Sequence, residues 1–275
     1  GETERRPEDE SCFSVFWGER RKDAHEDLGR ITFSSRGHDW LIDPASLGHQ
    51  AKNHSTFSVN QNATAGVRRM TLESVNDGDV VSDYIFKRSD NGKLKRRVIW
   101  SKPGESLMVD DQGSGLATTV SQTWIVNPEA SPTPVDGGFE FALDEKTCRV
   151  QLVACIADGQ LANSSQGVLE PLAVDGKRVA WRVTFDAKSS QVRFITFIGV
   201  WTNTSPTVDF DARLRNAVFN FESKGAEYRL VILPETVVPM PTSMPVKDAI
   251  STAIAQANHG GMSVGCLLYT SPSPR

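Results

Sequence analysis

From Gly29 to Leu233 the chain is a succession of short runs in which apolar and polar residues alternate, each run closed by turn-forming residues. Alternation with a period of two places successive side chains on opposite faces of a pleated strand, so it selects half-buried strands over helices. Ile31 and Phe33 share one face, with Arg30, Thr32 and Ser34 on the other. Val179, Trp181, Val183 and Phe185 form another such set, as do Phe139, Phe141 and Leu143, and Val150 with Leu152. Asp90-Asn91-Gly92, Asp175-Gly176 and Ser223-Lys224-Gly225 each fall between two such runs and are strong hairpin signals. No helical periodicity of useful length precedes residue 240. Many short strands without interleaved helices predict an all-β fold, a large antiparallel β-sandwich rather than a parallel α/β sheet.

The same pattern sets the boundaries. Residues 1–10 are charged and read as a frayed lead-in, and residues 11–233 as the sandwich. Pro234, Pro239, Pro241 and Pro245 make 234–245 a stiff extended connector. Residues 246–258 carry Val246, Ile250, Ala253 and Ile254 at helical intervals, which predicts one short C-terminal packing helix. Residues 266–275 read as the translation of a sequencing-library adapter and are set aside from the fold. With a glycine at position 1, the chain is read as a fragment of a longer protein.

A net charge of −4 offers no basic field for nucleic acid, and no apolar run approaches membrane-spanning length. Cys148 and Cys155 stand seven residues apart in one run, so in a regular strand they point to opposite faces and cannot bridge. Glu19-Arg20-Arg21-Lys22 is a local cationic cluster able to meet an acidic partner.

The stretch from Asp23 to Gln61 gathers imidazoles and carboxylates among β-like runs. His25, Asp43 and His54 are the candidate ligands for a divalent metal such as zinc, although their spacing fits no compact metal motif. A plain hairpin at residues 36–39 would set Asp43 opposite about residue 32, several strand positions short of His25. A shared ion therefore requires a bend, and Leu28-Gly29 is the expected place.

Asp23-Ala24-His25-Glu26-Asp27, Gly37, Ile42-Asp43-Pro44 and His54-Ser55-Thr56 resemble, in letters and intervals, the start of the C-terminal β domain of heparinase II/III-like polysaccharide lyases. The family pattern there is His-x-His-x-Asp, Gly, Val/Ile-Asp-Pro and His-Asn-Thr. The resemblance implies a zinc site on His25, Asp43 and His54. It places Trp40 and Trp124 near that site and makes Arg21, Lys22 and Trp40 the candidate contacts to substrate. Two positions depart from the pattern: Asp23 stands where the family has a histidine that takes part in proton transfer, and Ser55 replaces the asparagine. The catalytic residue is therefore unassigned.

By the same resemblance the parent cleaves acidic polysaccharide of heparan or alginate type by β-elimination. It works in the periplasm or outside the cell, with the tyrosine acid on an N-terminal helical toroid that this chain lacks. The alternative is a non-catalytic β-sandwich that binds carbohydrate or packs against another domain, with Asp23 marking lost activity. A free-standing metal hydrolase ranks last, because no further His, Cys or Glu cluster supports it.

Overall fold

The computed structural model describes residues 11–19, 27–59, 69–89, 93–102, 105–114, 119–162, 167–201, 207–211, 216–223, 226–233 and 236–258. Three antiparallel sheets and one helix stack in layers. The first sheet has the order Cys12–Val15, Ile31–Ser35, His38–Leu41, Thr119–Val126, Lys177–Lys188, Val168–Val174, and Phe57–Val59 also pairs with Thr119–Val126. The second is larger. It runs Ser131–Val135, Gly138–Leu143, Lys146–Ala157, Gln191–Trp201, Ser106–Ser114, Lys93–Ser101, Val81–Ser89, Arg69–Asp77, Gly18–Glu19, with Gln160–Ala162 beside Lys146–Ala157.

Alternation decides how the layers bury one another. Along Gln191–Trp201, Phe194, Ile198 and Val200 face the first sheet, while Ile195 and Phe197 face away from it. The inner set packs with Phe33, Trp40, Phe57, Trp124, Phe141 and Phe185 into the main core. Each fully buried side chain of this size contributes about 1.5–3 kcal/mol through removal of apolar surface from water. The antiparallel sandwich read from the sequence is therefore the fold.

The outer set extends the architecture beyond two sheets. Ile99, Met108, Ile195 and Phe197 pack against Ala217, Phe219, Leu230 and Ile232 of a third sheet, ordered Thr207–Asp211, Asn216–Ser223, Ala226–Ile232, Val237–Met240. The helix Val246–Asn258 covers that sheet's far side, where Ala249, Ile250 and Ala253 meet Val218, Val231 and Met240. Residues 237–240 thus pair in register with Ala226–Ile232 and are a strand, where the proline content predicted an extended connector. Pro239 is tolerated because this is an edge strand, on which a missing N–H costs no ladder bond.

The turns follow the chemistry of their residues. Asp175 and Gly176 both take positive φ between Val174 and Lys177, as a two-residue hairpin demands. Arg36 and Gly37 do the same between Ser35 and His38, so this turn occupies two residues rather than four. Asp90-Asn91-Gly92 and Lys224-Gly225 lie outside the described residues; the strands flanking them pair as hairpins, Ser89 with Lys93 and Ser223 with Ala226.

One parity expectation fails. A register shift between Leu152 and Ala154 inserts an extra residue, so Cys148 and Cys155 both face the main core. Both carry thiols, and burial pushes the thiol of Cys155 up to about 11 and that of Cys148 higher still.

Candidate metal centre

The chain reaches this site by a turn and a loop. Gly29 takes a left-handed φ of 86°, and the Arg30 N–H donates to the Asp27 carbonyl at 2.8 Å, folding Asp27 back beside Arg30. This is the bend expected at Leu28-Gly29. After His38–Leu41, a loop containing two 3₁₀ turns, Ala45–Leu47 and Ala51–Asn53, carries the backbone from Asp43 to His54. An Asn53 side-chain N–H closes that loop on the Leu47 carbonyl.

His54–Thr56 is then stitched between its neighbours. The Ile31 N–H donates to the Ser55 carbonyl at 3.0 Å, the Ile125 N–H to Ser55 Oγ at 2.9 Å, and the Thr123 N–H to the Thr56 carbonyl at 2.9 Å. The Thr56 hydroxyl donates to the Leu28 carbonyl at 3.0 Å, tying this segment to the glycine turn.

Three side chains converge there. His54 Nδ1 lies 2.6 Å from Asp43 Oδ1, and one ligand atom each from Asp27, Asp43 and His54 can be chosen within 4.8 Å of one another. Asp27 and His54 are buried and Asp43 is nearly so. Two carboxylates and an imidazole suit a divalent ion, since oxygen and nitrogen ligands at about 2.1 Å from one ion stand up to roughly 4 Å apart. The donor set therefore fits the metal that the resemblance implies.

Arg30 completes the electrostatics. One guanidinium nitrogen donates to Asp27 Oδ2 at 2.8 Å and also to Asp43 Oδ2, and the guanidinium carbon stands 4.7 Å from the centre of the Phe16 ring. Phe16 and its neighbour Trp17 are 42% and 51% exposed.

Beneath the site lies a buried polar network. Arg96 makes a bidentate pair with Asp111, at 2.7 and 2.6 Å, between the two large sheets. It also donates to the carbonyls of Gly29 and Ser55, the residues next to Arg30 and His54. Gln122 donates to Asp111 at 2.7 Å and accepts from the Thr196 hydroxyl, and Arg96 lies over the Trp124 ring. The network anchors both ligand-bearing segments to the core.

Of the residues expected at the site, Asp43 and His54 come together. His25, Asp23, Arg21 and Lys22 lie outside the described residues. Trp40, expected to contact substrate, is instead 0% exposed and donates its indole N–H to the Ser35 carbonyl at 3.1 Å, so it has no face to offer a sugar. Trp124, expected near the site, is also fully buried and belongs to the core under Arg96. Asp27 and Arg30 are not among the site residues expected from the sequence. The signal for Asp27 was its place as the last residue of the first motif block, and for Arg30 its position three residues on, across a glycine.

The sequence matches no protein-family profile and no curated protein. The fold does find counterparts among solved structures. Heparan sulfate lyase HepC from Pedobacter heparinus superposes with a TM-score of 0.62 at 11% identity, over 86% of this chain and 40% of that one. The heparinase III product of the BT4657 gene gives 0.64 at 16% identity, over 82% and 39%. The chain thus spans about two-fifths of the length of these proteins. Over that portion, the chain shares the β-sandwich fold of these two heparinase-type lyases.

Proposed function

We propose that this chain is the C-terminal β-sandwich domain of a polysaccharide lyase that cleaves uronate-containing acidic polysaccharide by β-elimination, with a zinc site at the cleft toward a helical toroid. The observation that carries the reading is the meeting of Asp43 and His54 with Asp27, in a chain whose fold is shared with a heparan sulfate lyase and a heparinase III. Asp27, Asp43 and His54 would hold the ion, and His25 would join them from the adjoining segment. Bound zinc would supply a fixed positive charge that orders the loop ends and orients nearby groups.

β-Elimination needs three things: a base for the proton beside the uronate carboxylate, an acid for the departing glycosidic oxygen, and neutralisation of that carboxylate while negative charge builds. Arg21 and Lys22 would contribute to the last of these. Asp23 occupies the place of the family's proton-transfer histidine, and the acid belongs to the toroid. Export to the periplasm or beyond follows from the substrate. Among the described residues no helix is long and apolar enough to cross a membrane.

The test is the parent protein against heparan sulfate and alginate, followed by the ultraviolet absorbance of the unsaturated uronate product. Turnover is expected from the parent and none from the present chain, since this reading puts the acid on the toroid. Appreciable turnover by this chain alone refutes the division of labour. A parent that binds these polysaccharides without cleaving either establishes the alternative, a non-catalytic carbohydrate-binding sandwich.

A further inference from the structure

The two carboxylates of the candidate centre already have a cation. Arg30 shares one guanidinium nitrogen between Asp27 and Asp43, the two carboxylates of the metal-suited group. Asp27 is buried and Asp43 nearly so, and burying two such charges close together without a counter-charge is costly. Arg30 lowers that cost in the metal-free chain. The same contacts oppose a divalent ion, because the ion and the guanidinium draw on the same two carboxylates and repel each other at short range.

We propose that Arg30 is the resident counter-cation of this centre, a competing residue that holds the carboxylates together when no metal is bound and sets the threshold for metal uptake. The inference rests on the metal reading above and goes beyond it, by assigning a role to a residue that is itself no ligand. Its side chain is suited to leaving. It is partly exposed, and it lies against the exposed ring of Phe16, a surface over which a guanidinium can remain when released from a carboxylate.

The inference separates Arg30 from an ordinary supporting residue by the sign of its effect. A residue that merely shapes the site weakens metal binding when it is removed. A competitor strengthens it. Calorimetric titration of the chelator-treated chain with zinc chloride, in parallel with thermal melts with and without zinc, reads both quantities. Arg30→Gln is expected to bind zinc about tenfold tighter than the wild type, a change of about 1.4 kcal/mol. Its metal-free form should melt several degrees lower, and its melting temperature should rise more on adding zinc. Arg30→Lys, which keeps the charge, should stay close to the wild type in both measurements.

Weaker zinc binding by Arg30→Gln, restored by Arg30→Lys, would overturn the proposal and make Arg30 a positioning residue. Equal affinity in all three proteins would overturn it as well. If wild type and Arg30→Gln are both folded and neither binds zinc, the metal reading itself falls and this inference goes with it. That outcome is distinct from one in which zinc binds and only the order of affinities is wrong.

Discussion

Replacing Arg96 with methionine is expected to cost the fold about 3–5 kcal/mol, read as a lowered midpoint in urea denaturation with an unchanged slope. The guanidinium is nearly fully buried and donates two hydrogen bonds to Asp111 and one each to the carbonyls of Gly29 and Ser55. Methionine fills much of the volume but leaves the Asp111 charge in the core, with the Gln122 amide still donating to it. An uncompensated buried charge costs far more than the intact pair contributes, so most of the loss is the stranded carboxylate. The double variant Arg96→Met with Asp111→Leu should therefore recover a large part of it. Recovery should be incomplete, because the Gly29 and Ser55 carbonyls each lose a donor and the Gln122 amide loses its carboxylate acceptor. A single variant within about 1 kcal/mol of wild type would show that the network is not what holds the ligand-bearing segments.

Trp40→Ala is expected to cost a similar 3–5 kcal/mol, by a different route. The indole is fully enclosed, packs in the main core and satisfies the Ser35 carbonyl. Truncation leaves a large cavity and removes the indole donor from the Ser35 carbonyl, in the same turn region that leads to Asp43. Trp40→Phe keeps most of the apolar volume and should cost distinctly less. The comparison also separates packing from recognition. A residue that stacks on sugar changes affinity while leaving the melting temperature almost unmoved, whereas a core residue does the reverse. Weakened polysaccharide binding at unaltered stability would return Trp40 to the surface role that the sequence reading gave it.

Strand identity and the alternation of the main core were legible because each depends on residues close in sequence. Phe139, Phe141, Val150 and Leu152 face the core as their period predicts. The third sheet was not legible as a separate layer. Ile195 and Phe197 sit on the face opposite Phe194 and Ile198, and a run that is apolar on both faces says only that something covers each side. The bulge after Leu152 was invisible for a related reason: one extra residue changes the parity of everything beyond it without leaving a compositional trace.

The site divided along the same line. Asp43 and His54 stood out because a motif names them, and the bend at Gly29 followed from the distance a shared ion can span. Arg96 and Asp111 lie in alternating runs far from the motif, on the inward face where charge is least expected, and only the pairing of adjacent strands sets them side by side. Trp40 shows the converse error. The family resemblance sets it at the substrate, while the strand that carries it turns the indole inward.

The most direct test of the account is metal content. The chain is purified with zinc present, dialysed, and assayed for bound metal beside His54→Ala. About one zinc per wild-type chain is expected, lost in the variant, together with a zinc-dependent rise in thermal stability that only the wild type shows. A wild-type chain that is fully folded and metal-free after the same treatment would contradict the claim that Asp27, Asp43 and His54 form a metal centre.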